Sequence, residues 1–260
     1  MESPQPNSLV SKSLVIVPTY NERENIELIV HAVLALSPAF HLLVVDDGSP
    51  DGTAGLVRSQ MSLFNSEGER LFLMERSGKQ GLGTAYLDAF RWALQRDYEV
   101  ILQMDADFSH DPKDLHRLRA ACVADGADLA IGSRYVSGVN VVNWPMGRVL
   151  LSWFASAYVR LISGLPIHDA TAGFVCYRRA VLQTILSSRE KVRFVGYAFQ
   201  IEMKFLTWKY GYRILEVPII FTDRTRGQSK LSAGIFQEAF FGVIWMTVRG
   251  WFRKFIPLQG

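Results

Sequence analysis

Short apolar runs alternate with amphipathic stretches through the first half of the chain. Residues 13–17 form a β-rich run that stops at Pro18, and the runs at 42–45, 71–73, 100–104 and 129–132 are as apolar and as short. Such runs read as buried strands, being too short for ordinary helices. Between them apolar positions recur at helical spacing: from Thr19-Tyr20-Asn21-Glu22 to about Leu36, after Thr53, from Gly81-Leu82-Gly83 to about Arg96, and from Pro112 to about Asp125. Thr53 suits a helix cap and Pro112 a helix start. Strands alternating with helices over some 135 residues predict an α/β domain with a mainly parallel sheet and helices on both faces.

After Gly138 the pattern changes. Residues 146–165 read as a helix rich in Leu, Trp, Phe and Tyr, 174–177 as a strand, 197–210 as a helix, and 214–221 as a strand interrupted at Pro218. A polar, basic loop at 223–230 precedes a helical pattern at 233–255 that Gly234, Gly242 and Gly250 interrupt. The expected division is an α/β domain over 1–230 and a basic, aromatic helix over 231–260.

Composition sharpens this picture at few points. Hydrophobic residues are 49% of 260 and charged residues 20%, which permits a sizeable core and argues against disorder. The net charge of +3 is unevenly placed: from Arg224 onward six basic residues face one acid, Glu238, leaving the rest mildly acidic. A basic, aromatic tail suggests an anionic partner, here a membrane surface and no nucleic acid. Cys122 and Cys176 have neither metal spacing nor a disulfide framework, which fits a reducing compartment. The first residues lack the apolar stretch of a signal peptide. No run reaches the ~20 residues a helix needs to span a bilayer: 149–165 is broken by Arg160, and 239–248 offers ten uncharged residues.

The chemistry concentrates where strands end. Asp105-Ala106-Asp107 directly follows the run 100–104. Paired carboxylates at a strand end are costly without a counter-charge, and oxygen ligands suit Mg²⁺ or Mn²⁺ bridged to substrate phosphates. Asp46-Asp47 ends the second strand in the same way and could accept hydrogen bonds from a base or ribose, although Asp-Gly-Ser-Pro-Asp-Gly is also good turn chemistry. Lys79 with Gly81-Leu82-Gly83 could bring a cation and close backbone to a phosphate, or form only a tight turn. The Walker pattern is absent, as is the dinucleotide fingerprint after strand one. Arg134, Arg148, Arg224, Arg226 and Lys230 flank element ends, where an arginine fork suits phosphate. His110 and His168 lack a second histidine at metal spacing and read as ordinary polar residues.

Six motifs in order carry a resemblance: Pro18-Thr19-Tyr20-Asn21-Glu22-Arg23-Glu24-Asn25, Asp46-Asp47-Gly48-Ser49-Pro50-Asp51-Gly52-Thr53, Gly81-Leu82-Gly83-Thr84-Ala85-Tyr86, Asp105-Ala106-Asp107, Gly132-Ser133-Arg134-Tyr135 and Ser229-Lys230-Leu231. Over about residues 14–235 the chain resembles the polyprenol-phosphate (dolichol-phosphate) mannosyltransferases. These are inverting family 2 glycosyltransferases of the GT-A fold, and the likeness is to the short forms without C-terminal transmembrane helices. The resemblance implies that Pro18, Tyr20, Glu22, Val45 and Asp47 hold the guanosine of GDP-mannose. It places Asp105, Ala106 and Asp107 at the diphosphate and the Mg²⁺ or Mn²⁺ ion, with Asp107 the direct ligand. Ser109 stands where some relatives carry Gln. Arg134, Arg148 and Ser152 match acceptor-phosphate positions, with Asp105, Asp107 and Arg134 as the catalytic set, and Arg224 and Lys230 match a loop that closes over the donor. Val175 replaces an arginine of many relatives and takes no polar role.

The implied activity is inverting transfer of mannose to a polyprenyl phosphate lipid on the cytoplasmic face of the membrane, by a peripheral protein that a small membrane protein could partner. The helix at 146–165 and the tail, with Trp153, Phe154, Trp245, Trp251 and Phe252 beside arginines, are candidate interfacial segments. Asp169 and Glu202 could touch sugar hydroxyls, and Glu202 could equally pair with a structural cation. The alternatives are a polyprenyl-phosphate glucosyltransferase using UDP-glucose, a sugar-1-phosphate nucleotidyltransferase, which would want a Gly-rich loop after strand one, and a non-catalytic sugar-nucleotide-binding subunit.

Overall fold

The computed structural model describes residues 12–36, 40–188, 192–224, 233–252 and 255. Seven strands form the main sheet in the order β3-β2-β1-β4-β7-β5-β8. They are β1 (Ser13–Thr19), β2 (Phe40–Asp46), β3 (Leu71–Glu75), β4 (Val100–Gln103), β5 (Leu129–Ser133), β7 (Val175–Arg178) and β8 (Ile214–Pro218). All pairs are parallel except those of β7, which runs antiparallel to β4 and β5. Two-residue strands β6 (Val141–Val142) and β9 (Phe221–Thr222) pair beside it. The expected interruption at Pro218 is observed: β8 ends there, Ile219 still donates to the Ser133 carbonyl at 3.0 Å, and β9 pairs with β6 instead.

Alternation across the pleat builds two cores. Leu14, Ile16, Leu43, Val45 and Ile101 face one side, and Val15, Val17, Leu42, Val44, Val100 and Leu102 the other. Helix α1 (Ile26–Leu34) buries Ile26, Ile29, Val30, Val33 and Leu34, the spacing of one helical stripe. It covers the second face with α2 (Thr53–Phe64) and α4 (Asp114–Val123), whereas α3 (Leu82–Leu94), α6 (Arg179–Ser187) and α7 (Ala198–Lys209) cover the first.

Two helices are only half committed to the core. Helix α5 (Met146–Ser163) buries Ser156, Val159 and Ser163 and leaves Met146, Leu150, Leu151, Trp153, Phe154 and Leu161 exposed. Helix α8 (Ala233–Trp251) packs Val243 and Met246 into the first core. Two of its glycines mark close approaches: a Cβ at Gly242 would lie 2.6 Å from the Phe194 ring, and one at Gly250 2.7 Å from the Phe205 ring. Its other face exposes Phe240, Phe241, Trp245, Val248 and Trp251. Core packing and an exposed apolar face thus belong to opposite sides of one helix. Among the described residues no helix is long and apolar enough to cross a membrane. The expected domain boundary at 230/231, and the basic residues Arg226, Lys230, Arg253 and Lys254, lie outside the described residues.

Candidate active site

The strand order reverses between β1 and β4, the place where open α/β sheets open a crevice at their carboxyl ends. The Met104 amide closes that junction on the Ile16 carbonyl at 3.1 Å. Asp105-Ala106-Asp107 then leaves the sheet beside the turn that follows β1.

On one side of the crevice the turns after β1 and β2 clasp each other. Thr19 Oγ1 donates to Asp46 Oδ1 at 2.8 Å, the Asn21 amide to Ser49 Oγ at 2.9 Å, the Glu22 amide to Thr53 Oγ1 at 3.1 Å and the Arg23 amide to Asp51 Oδ2 at 3.0 Å. Asp46 also accepts from the Ser49 amide and hydroxyl, at 2.8 and 2.6 Å. Asp46 is therefore a turn carboxylate. Asp47 pairs instead with Arg76 at 2.5 Å, and both side chains are buried. Arg76, placed just beyond β3, also donates to Thr84 at 2.6 Å. Sequence reasoning missed it, although a cation following a strand end is the same signal that marks Arg134. Tyr20 lies beneath Lys79, whose Nζ is 5.1 Å from the ring. Pro18 and Glu22 share this turn, whereas the Val45 side chain is wholly inside the core. Gly81-Leu82-Gly83 is a packing turn: the Gly83 amide donates to the Val195 carbonyl at 2.8 Å, and a Cβ on Gly83 would sit 2.6 Å from the Phe194 carbonyl oxygen.

At the switch point, burial, then Asp107, then more weakly Glu22 push the Asp105 carboxyl up to about 7, against the pull of Arg224 and Arg134. Asp107 accepts the Ser109 amide at 3.1 Å and lies 3.2 Å from Arg224 Nη2. Ala106 is buried between them in sequence. The buried Ser109 hydroxyl finds no partner within the protein. Two crowded carboxylates and an orphaned hydroxyl fit a divalent cation. Among the described residues no three His, Cys, Asp or Glu stand close enough together to hold a metal ion by themselves, so such a cation would draw its other ligands from substrate and water. His110, stacked on Phe174 at 4.7 Å, is held down to about 4 by burial and is neutral.

The opposite wall is a buried charge network. Arg134, following β5, donates from Nε and Nη2 to the two oxygens of Asp169 at 2.7 and 2.6 Å, and from its own amide at 3.0 Å. Asp169 is fully buried. Burial would raise its carboxyl, but Arg134 outweighs that and holds it below the usual range. The Asp169 amide is bound in turn by Glu216 of β8 at 2.9 Å. Lys204 of α7, also fully buried, donates to the Ala172 carbonyl at 2.6 Å, and burial lowers it to about 7. Nothing in the local sequence marks Lys204, which sits in an ordinary helical pattern. Arg148 pairs with Asp223 at 3.0 Å over the Trp144 ring, and Ser152 lies by the Tyr135 phenol. Glu202 accepts the Arg193 and Phe194 amides at 2.9 and 3.0 Å, so it braces that loop rather than a ligand. The fully buried Val175 has no polar role to play.

A mainly parallel sheet with acidic residues at its switch point is compatible with a nucleotide-binding enzyme, and comparison gives the family. Glycosyl transferase family 2 matches residues 14–186, and the chain belongs to that family; it is a glycosyltransferase. It is 48% identical over 249 residues to the polyprenol monophosphomannose synthase of Mycolicibacterium smegmatis, a match covering 96% of this chain and 92% of that protein. It is 43% identical to the undecaprenyl-phosphate mannosyltransferase of Micrococcus luteus, covering 92% and 95%. Among solved structures, glucosyl-3-phosphoglycerate synthase from Mycobacterium tuberculosis with Mn²⁺, UDP and glucosyl-3-phosphoglycerate superposes with a TM-score of 0.63. That match has 16% identity and covers 96% of this chain and 82% of that one. The same enzyme with Mg²⁺ and UDP gives 0.64. At such identity the likeness concerns the GT-A fold alone.

Proposed function

We propose that this protein transfers mannose from GDP-mannose to a polyprenyl phosphate with inversion, giving polyprenyl phosphate β-mannose and GDP. The observation that carries the reading is the gathering of Glu22, Asp105, Asp107 and Arg224 at the switch point, in a chain nearly half identical to a polyprenol monophosphomannose synthase. Pro18, Tyr20, Glu22 and Asp47 hold the guanosine, with Arg76 fixing the Asp47 carboxylate. Asp105 and Asp107 would hold Mg²⁺ or Mn²⁺, which when bound offsets negative charge on the diphosphate as GDP departs. Arg224, on Asp107, is placed to turn to the diphosphate, and Lys230 is assigned the same duty from the sequence.

The acceptor phosphate is already ionised near neutral pH, so no strong general base is required. One of its oxygens attacks the anomeric carbon; the bond to the GDP oxygen breaks and its electron pair leaves with GDP. The carboxylates of the opposite wall suit this economy. Asp169 is tied to Arg134 and Glu202 to two backbone amides, so both are committed elsewhere. Arg134 and Arg148, each paired with a carboxylate in the unliganded protein, and Ser152 would offer guanidinium donors and a hydroxyl where two anions must approach each other.

The exposed aromatic faces of α5 and α8 rest on the cytoplasmic surface of the membrane, where the lipid phosphate is found. The test supplies the full chain with Mg²⁺, GDP-mannose ¹³C-labelled at the anomeric carbon and a short-chain polyprenyl phosphate. The one-bond carbon–proton coupling of the lipid product should report a β linkage. An α-linked product, or transfer to water alone, overturns the reading.

A further inference from the structure

Gln200 lies in the first turn of α7 with only 2% of its surface exposed, and its Oε1 finds no hydrogen-bond partner within the protein. A buried amide oxygen left unpaired costs on the order of 1–3 kcal/mol, so the position calls for an explanation. Its surroundings supply one. A Cβ placed on Gly173 would lie 3.8 Å from Gln200 Nε2 and 4.0 Å from Asp105 Oδ2. Gln200 Nε2 and Asp105 Oδ2 therefore border one space beside Gly173, which has no side chain to fill it. The helix turn is also rigid there. Lys204 Nζ bonds the Gln200 carbonyl at 3.2 Å and the Ala172 carbonyl at 2.6 Å. Phe199 stacks on Tyr86 at 5.9 Å, and Ile201 is in the core.

We infer that Gln200 binds a hydroxyl of the transferred sugar and helps select the donor; this rests on the sugar-nucleotide reading above. A primary amide offers a donor and an acceptor side by side, which matches a hydroxyl, itself both. A phosphate would use only the donor and leave Oε1 unpaired. A carboxylate in its place would add negative charge to a site already holding Asp105, Asp107 and Glu22, and would oppose the diphosphate. A neutral amide reads the sugar without that cost. Because an amide does not take up a proton in this range, the contact orients the sugar and plays no part as a base.

The experiment uses the full chain with GDP-mannose and its 2-, 3-, 4- and 6-deoxy analogues, in wild type and in Gln200→Leu. Wild type should lose roughly 10- to 100-fold in kcat/KM with one of the analogues, the range set by one unpaired buried group. In Gln200→Leu that analogue and GDP-mannose should be used within about threefold of each other, while GDP, which lacks the sugar, binds as it does to wild type by calorimetry. Deoxy penalties unchanged in the variant, or equal losses of GDP and GDP-mannose affinity, overturn the inference. Should Gln200→Leu not melt cooperatively, Gln200→Asn, which keeps the amide and withdraws it, decides by the same comparison. If wild type uses no GDP-mannose at all, the functional reading fails instead, and the deoxy series of whichever sugar nucleotide it does use puts the same question to Gln200.

Discussion

On the nucleotide side of the cleft, short hydroxyl and carboxylate side chains of the turns after β1 and β2 bond backbone amides and one another across a single strand pair. On the proposed acceptor side, Arg134, Asp169 and Glu216 come from three separate stretches of chain and meet out of water, with the buried Lys204 ammonium near enough to feel their charges. Apart from the buried Asp47–Arg76 pair, the first arrangement is a set of small, largely independent contacts. The second is a network in which each charge is tolerable only because of its neighbours. One wall should therefore yield gradually to substitution and the other abruptly.

The largest effect is expected from splitting the buried pair. Arg134→Ala should cost about 3–5 kcal/mol of stability, because it leaves Asp169 buried without its counter-charge. Urea unfolding measures this, and the double variant Arg134→Met/Asp169→Leu should be less damaged than either single change. An Arg134→Ala protein with wild-type stability would break the comparison. This position thus mixes a structural duty with its proposed one at the acceptor phosphate, and activity loss alone cannot separate them.

Next in size, Asp107→Asn should lower transfer by about 10²- to 10³-fold, the loss typical of removing one electrostatic stabiliser. EDTA should halt the wild type, and Mg²⁺ or Mn²⁺ should restore it. Full turnover in metal-free buffer would remove the cation from the account.

Lys204 sharpens the comparison through pH. Burial lowers its folded value to about 7 from an ordinary 10.5, so between those limits the folded state binds fewer protons than the unfolded one. Stability should therefore rise with pH across that window, by up to about 1.4 kcal/mol per unit. Unfolding series between pH 7.5 and 9.5 should show that rise in wild type and a flatter line in Lys204→Met. Identical slopes would mean that Lys204 is not carrying it.

The exposed faces of α5 and α8 should matter less individually. Phe154→Ser and Trp251→Ser are each expected to weaken flotation with anionic vesicles several-fold while leaving the melting temperature within a few degrees, since both side chains are more than half exposed. Deleting α8 outright would be a poor test of anchoring, because Val243 and Met246 belong to the core. On the other wall Ser49→Ala, which loses a bond from the Asn21 amide and one to Asp46, should cost about 1–3 kcal/mol, less than splitting the Arg134–Asp169 pair.

The same contrast explains what the sequence discloses. Strands β1, β2, β4 and β5, and the acidic ends of β2 and β4, are legible because a short apolar run followed by turn residues is a local signal. Asp46 and Asp47 look alike in sequence, and only the fold assigns one to Ser49 and Thr19 and the other to Arg76. The Arg134–Asp169 pair spans 35 positions, and Lys204 meets Ala172 only after α7 has docked, so neither leaves a local trace. Helix α6 is one short stripe, Val181, Leu182 and Ile185, and β6 has two residues, so periodicity has little length in which to register. The glycines that look like interruptions at 242 and 250 are where α8 presses closest on Phe194 and Phe205.

The central claim is the identity of the reaction, and a donor panel addresses it most directly. The purified full chain, with Mg²⁺ and a short polyprenyl phosphate, is offered radiolabelled GDP-mannose, UDP-glucose, UDP-galactose and GDP-fucose in parallel, and label extracted into the lipid phase is counted. The account predicts transfer from GDP-mannose at a rate at least tenfold above any other donor. Preferential labelling from UDP-glucose, or none from GDP-mannose, would contradict it.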